Sequence, residues 1–278
     1  MQKRLLIFSF IALGVMLALF LFSLLKPSQK VNLPYPVSEL KLDDSIKVMP
    51  ILGFSRKFEK SYEAATLKIT VESLARKQPA LLYLNGQTYD KKVALTFDDG
   101  PHPINTPKIL AVLEHYGVKA AFFCIGENIR RHPAVAKQMY DAGHLVLNHS
   151  YSHIKFTETD SITVSNEISK ANEAILELIG KKPRFIRVPY GAVNQQILNM
   201  IEAKEMISVY WSVDTYDWLE TKEFVKTLIR DSIRRDEIIL LHGRGNTLED
   251  LPEIIEIIHN KGFAIIPLDE LLGEEAYF

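Results

Sequence analysis

From residue 91 onward the chain alternates short apolar runs with longer amphipathic ones, and most pairs end at a glycine. Residues 93–97, 120–125, 145–147, 185–188, 207–213, 238–241 and 263–267 are Val-, Ile-, Leu- and Phe-rich and too short for helices, so they predict strands buried on both faces. Between them, residues 106–115, 133–141, 161–179, 222–234 and 251–260 carry apolar positions three and four apart and predict helices. Gly117, Gly143, Gly180 and Gly262 are the stops. Repeated strand–helix units imply a parallel sheet, and strands this short and apolar suit a barrel whose polar residues collect at the strand C-terminal ends.

Upstream the pattern is weaker. Residues 58–77 predict an amphipathic helix. Residues 81–84 and 87–89, joined by Asn85-Gly86, predict a short hairpin with an Asn-Gly turn. Residues 26–50, bearing Pro, Ser and charge, predict a stalk. Residues 5–25 are an uncharged Leu/Phe/Ile/Val run between Lys3-Arg4 and Lys26-Pro27. About 20 such residues span the hydrocarbon layer, and no small-x-small cleavage site follows. The expected organisation is therefore a membrane anchor over 1–25, a stalk and short accessory segment over 26–90, and a catalytic domain over 91–278. That domain is expected outside the cytoplasm, with secretion after signal cleavage as the alternative.

Charge narrows the class by exclusion. Across 278 residues, 33 basic against 34 acidic side chains leave no global field for nucleic acid. The single cysteine, Cys124, permits no intrachain disulfide and lies in an apolar run, as a buried inert thiol would. No protein partner can be inferred.

Polar clusters follow the strands. Thr96-Phe97-Asp98-Asp99-Gly100-Pro101 comes where the first one runs out. Adjacent carboxylates repel and call for a cation or an Arg, although Asp-Asp-Gly-Pro also suits a solvated turn. His149 and His153 follow another strand, and two imidazoles four apart converge on one ion if the segment makes a helical turn. With Asp99 they form a one-carboxylate, two-imidazole set that leaves a coordination position open for water. Asn148-His149-Ser150 is also a glycosylation sequon, rejected because a glycan would cover that set. Arg187-Val188-Pro189-Tyr190-Gly191, Asp214-Thr215-Tyr216-Asp217-Trp218 and His242 complete the clusters. Taken singly, Arg187 and Asp217 suit salt bridges, Trp218 core packing, and His242 a hydrogen-bonded structural histidine.

In order, these clusters resemble the polysaccharide deacetylase (NodB-homology) family, carbohydrate esterase family four, over about residues 92–272. Phe122-Phe123 to Gly126, Ala142-Gly143-His144 and Gly180-Lys181-Lys182-Pro183-Arg184-Phe185 belong to the same resemblance. It implies a distorted (β/α) barrel with fewer than eight strand–helix units. It also implies one divalent metal on Asp99, His149 and His153, zinc or else cobalt, nickel or manganese. Carried over, Asp98 is the general base paired with Arg187, the Tyr190 amide helps bind the oxyanion, and His242 is the general acid tuned by Asp217. Trp218 and Leu240 wall the acetyl pocket. The chain departs at Gly243, where the family often has Asp, and at Val188, where Pro is commoner. The implied function is metal-dependent N-deacetylation of a polysaccharide, with cell-wall peptidoglycan amino sugars foremost because the anchor would hold the domain at the wall. Chitin-type oligomers, exopolysaccharide and O-acetyl esters remain alternatives. A non-catalytic glycan-binding module is the rival of another class.

Overall fold

A computed structural model describes residues 48–52, 62–244 and 246–278. The expected anchor over residues 5–25 lies outside the described residues. Among those described, no helix is long and apolar enough to cross a membrane.

The core element is one parallel sheet of nine strands, curled into a half-barrel. In chain order the strands are β1 (Leu82–Tyr83), β2 (Lys92–Gly100), β3 (Ala121–Cys124), β4 (Leu145–Asn148), β5 (Phe185–Ile186), β6 (Ile207–Val209), β7 (Val213–Asp214), β8 (Glu237–His242) and β9 (Ala264–Ile265). They lie side by side as β1-β6-β5-β4-β3-β2-β8-β7, with β9 also on β2. Helices α1 (Tyr62–Lys77), α2 (Asn105–His115), α3 (Gly126–Arg131), α4 (Pro133–Asp141), α5 (Ser161–Ile179), α6 (Gln195–Glu202), α7 (Lys222–Ser232), α8 (Asn246–Asn260) and α9 (Leu268–Leu272) connect them.

The period-two alternation of a strand divides the core. On β2, Val93, Leu95 and Phe97 pack with Ile109 and Leu113 of α2 and Ile254 and Ile258 of α8. Ala94 turns the other way and packs with Ala121, Phe123, Leu147 and Ile238, inside the curl. Thr96 and Asp98 share that inner face. Helix ends follow local chemistry. Asp160 accepts from Ile162 and Thr163 N–H at the start of α5, and Gly180 closes it in the left-handed region at φ 72°. Gly117, Gly143 and Gly262 stop their helices the same way. Cys124 is buried and burial pushes its thiol pKa up, so it is inert.

Several expectations give way to tertiary contacts. The hairpin over residues 81–89 does not form: β1 pairs parallel with β6, Leu82 opposite Ser208. The Asn85 side chain accepts from Met49 N–H, and Gly86 N–H donates to Asp236 instead of closing a turn. The strand expected over residues 207–213 splits where its backbone changes partner, Tyr210 N–H going to Tyr83 O and Ser212 N–H to Ile238 O. Helix α8 starts at Asn246, five residues before the expected start, and absorbs Pro252 in its interior. The short helices α3, α6 and α9 are additional. Val48, Ile51, Val71 and Ala75, upstream of residue 91, are core residues of the same cluster as Phe123.

Gly86 is a packing constraint. A Cβ there would lie 2.5 Å from Leu271 Cγ and 2.7 Å from Leu271 O, and the latter is backbone that cannot swing away. Gly86→Ala should therefore destabilise by about 1–3 kcal/mol, the usual cost of overpacking. Urea unfolding measures it, and an unchanged midpoint would show that α9 moves freely off β1.

Candidate active site

The strand ends meet in register. Asp98 lies opposite Phe123 of β3 and His242 of β8, Cys124 opposite Asn148, and Asn148 opposite Ile186. Arg187, just past β5, is fully buried and crosses the curl to the strand three places away. Its Nη1 donates to Asp98 Oδ1 and Thr96 Oγ1, each at 2.8 Å. Its Nε donates to Val209 O and its Nη2 to Tyr210 O. The guanidinium also stacks over Phe123 at 4.1 Å. Burial pulls the Arg187 pKa below its ordinary value, with Asp98 opposing.

His149 is fixed by the same residue, its Nδ1 donating to the Arg187 carbonyl at 2.8 Å. That assigns the tautomer and leaves Nε2 as a lone pair facing Asp99 Oδ1 at 3.6 Å. His153 Nε2 lies 3.2 Å from the same oxygen. Ligand atoms of Asp99, His149 and His153 all fall within 4.8 Å of one another, an arrangement that could hold a metal ion. Burial, with His149 beside it, pulls the His153 pKa down to about 4 against the pull of Asp99, so this imidazole is neutral near pH 7 and offers a lone pair.

Convergence comes by a route other than the expected helical turn. Ser150 and His153 occupy the left-handed region at φ 61° and 60°. The half-buried turn is held by Glu167 of α5, which accepts from Tyr151 N–H, Ser152 N–H and the Ser152 hydroxyl. Asn148 caps Ser150 N–H while donating to Asn172 and to the Ile168 carbonyl.

The two adjacent carboxylates are separated by partner. Asp98 places Oδ1 on Arg187 and leaves Oδ2 3.7 Å from His149 Nε2, whereas Asp99, at φ 69°, places Oδ1 between the two histidines and takes Arg244 Nη2 on Oδ2 at 2.7 Å. Burial alone would raise the Asp99 pKa, but His149, His242, His153 and Arg244 outweigh it and hold it below the ordinary carboxylate value.

Across from Asp98, His242 Nδ1 donates to Asp217 Oδ1 at 2.9 Å, and His242 N–H donates to Asp217 Oδ2 at 2.7 Å. Burial would lower the imidazole pKa. The Asp217 hydrogen bond and charge, helped by Asp98 and Asp99, push it up to about 9 instead. Tyr190, at φ 60°, is exposed, and its ring lies 4.6 Å from that of His153. Trp218 is half exposed, and Leu240 is buried in the core cluster. A cleft of about 490 Å³ beside Asp98 and Asp99 is lined also by His102, Asn128, Arg131 and Arg244. Arg244, Glu167 and Thr247 are site neighbours beyond the sequence motifs. None has a local pattern that marks it.

The His242 shift has a stability consequence with a definite sign. A raised imidazole pKa adds stability that is complete below about pH 6.5, the unfolded value, and is lost as pH rises toward 9. Asp217→Asn should therefore destabilise the protein more at pH 6 than at pH 10 in the presence of chelator. Urea unfolding at both values tests this, and an equal deficit at the two would detach the His242 charge from Asp217.

The polysaccharide deacetylase family model matches residues 85–208. The peptidoglycan-N-acetylglucosamine deacetylase of Listeria monocytogenes is 34% identical over 188 residues, which cover 67% of this chain and 40% of that protein. The chain thus spans well under half the length of that relative. The crystal structure of the Bc1960 peptidoglycan N-acetylglucosamine deacetylase superposes with a TM-score of 0.68 at 31% identity, covering 70% of this chain and 94% of that one. A Bacillus anthracis protein described as a carbohydrate esterase family four pseudoenzyme superposes with a TM-score of 0.65 at 27% identity, over 68% of each chain. The half-barrel, the order of its polar clusters and these similarities establish that the chain belongs to the polysaccharide deacetylase family, carbohydrate esterase family four.

Proposed function

We propose that this chain is a metal-dependent hydrolase that removes N-acetyl groups from an N-acetylated polysaccharide, with peptidoglycan amino sugars as the substrate. The observation that carries the reading is the convergence of Asp99, His149 and His153 beside the Asp98–Arg187 pair, with His242 in register across β2 and β8. The donor set fits a divalent ion, zinc by preference, because it combines a carboxylate with two imidazoles, one of them locked with its lone pair inward. When bound there, such an ion supplies Lewis acidity to an amide carbonyl and to water.

The chain's own residues do the rest. Asp98, held by Arg187, takes the proton of the attacking water as its oxygen bonds to the acetyl carbon. The Tyr190 amide donates to the developing oxyanion. His242 holds its Nδ1 proton on Asp217, which leaves Nε2 to hand a proton to the sugar nitrogen as the C–N bond breaks. An amine leaves poorly as an anion, so this proton is required. Trp218 and Leu240 are assigned to the acetyl pocket walls by the family resemblance. The expected anchor over residues 5–25 would place the domain against the wall, outside the cytoplasm.

Acetate release from N-acetylglucosamine oligomers, with and without chelator, tests the reading. Release should vanish with chelator and return with zinc. Its absence under every condition would favour a non-catalytic glycan-binding role, as the pseudoenzyme relative warns, and chelator-insensitive release would remove the metal. Asp99→Ala and His149→Ala should each lose bound metal, whereas Asp98→Asn should keep metal and lose turnover. His242→Ala should cost on the order of 10²–10⁴ in rate on the amide and less on an aryl acetate, whose leaving group needs no proton. Equal losses on both would make His242 structural. For the placement, protease added to intact spheroplasts should digest the domain, and full protection would refute export.

A further inference from the structure

Asp217 has a third hydrogen-bond donor, from a residue that the sequence motifs do not contain. Its carboxylate is buried, and besides the two donors from His242 it accepts the hydroxyl of Thr247 on Oδ2. Thr247 is 1% exposed and lies in the first turn of α8, where its N–H donates to Arg244 O. Both Oδ2 donors come from β8 and the turn that follows it. We infer that Thr247 is a positioning residue for the proposed acid, fixing the Asp217 rotamer so that Oδ1 faces His242 Nδ1 and the imidazole presents Nε2 to the substrate.

The physical case rests on count and burial. A carboxylate has about four acceptor sites, and on Asp217 three are matched to named donors, two from His242 at the end of β8 and one from Thr247 in α8. Without Thr247 the carboxylate would keep only the two His242 donors, one of them the ring it is meant to orient, so ring and carboxylate could shift together. With two donors from different residues, both on Oδ2, the plane is fixed. The same helix turn links that plane to the Arg244 loop, whose guanidinium holds Asp99. The inference rests on the hydrolase reading only for its kinetic consequence; the hydrogen-bond arrangement stands apart from it.

Thr247→Val keeps the shape and removes the hydroxyl, leaving Oδ2 still satisfied by His242 N–H, so folding should survive. Thr247→Ser keeps the hydroxyl and removes the methyl. On an N-acetylated oligomer, Thr247→Val should lower kcat by about tenfold or more, the worth of a hydrogen bond to a charged group, with little change in KM. The loss on an aryl acetate should be smaller, and Thr247→Ser should restore the amide rate even where it lowers Tm. A loss equal on amide and ester, a loss confined to KM, or a Ser variant as poor as Val would each overturn the inference. Proton NMR of the full chain gives a readout independent of turnover. The Nδ1 proton of His242 should be slow to exchange in wild type and Thr247→Ser, and should exchange faster in Thr247→Val. Unchanged exchange in Thr247→Val would sink the positioning role. A wild type that releases no acetate would sink the hydrolase reading alone, with the exchange measurement still deciding the role of Thr247.

Discussion

The site depends on one buried cation. Arg187 is fully enclosed, and a guanidinium taken out of water costs several kcal/mol unless its donors are met. Here they are met by two backbone carbonyls at the end of β6, a hydroxyl and a carboxylate on β2. Those acceptors belong to strands separated by β3, β4 and β5, so the guanidinium is satisfied only while the sheet keeps its curl and register. Its carbonyl then orients His149. A single residue thus couples the closure of the fold to the alignment of a base candidate and a ligand candidate.

This arrangement resolves the electrostatic problem of neighbouring carboxylates. Asp98 and Asp99 cannot share one environment, since like charges at adjacent positions repel. The positive φ at Asp99 breaks the strand alternation, so both carboxylates approach His149 Nε2, Asp98 Oδ2 at 3.7 Å and Asp99 Oδ1 at 3.6 Å, while their other oxygens take different partners. Arg187 then compensates one, and the histidines with Arg244 compensate the other. Two carboxylates of identical chemistry are thus distinguished by the cations each one takes. The strained turn at His149–His153 works in the same way, and Glu167 with three donors supplies the enthalpy that holds it.

Much of this was legible in the chain. The strand–helix alternation and its glycine stops follow from local chemistry, and Gly117, Gly143, Gly180 and Gly262 all adopt the positive φ that makes them stops. The convergence of Asp98, Asp99, His149, His153 and Arg187 was readable because each follows an apolar strand, and parallel strands bring such ends together. What failed was whatever a distant partner decides. Asn85-Gly86 carries a hairpin signature, yet the Asn side chain is taken by Met49 and the glycine by α9. Thr247 and Glu167 are helical residues with unremarkable neighbours, and their partners lie 30 and about 15 residues away in sequence. No local period reports a contact of that kind.

That division has a mechanistic reading. The groups on strand ends are placed by the sheet, whose hydrogen bonds leave them little freedom. His242 is the exception, because its ring can rotate about bonds the sheet does not fix. Its orientation comes from Asp217, and the Asp217 orientation comes from the loop that His242 itself begins. In the proposed reaction His242 would move a proton to an atom that arrives only with the substrate, so its ring has to be held by something other than the substrate. Closing a ring of hydrogen bonds through β8, the Asp217 carboxylate and the first turn of α8 provides that hold. His242 therefore owes its alignment to a small circuit of hydrogen bonds with Asp217 and Thr247, while Asp98 owes its alignment to the whole sheet through Arg187.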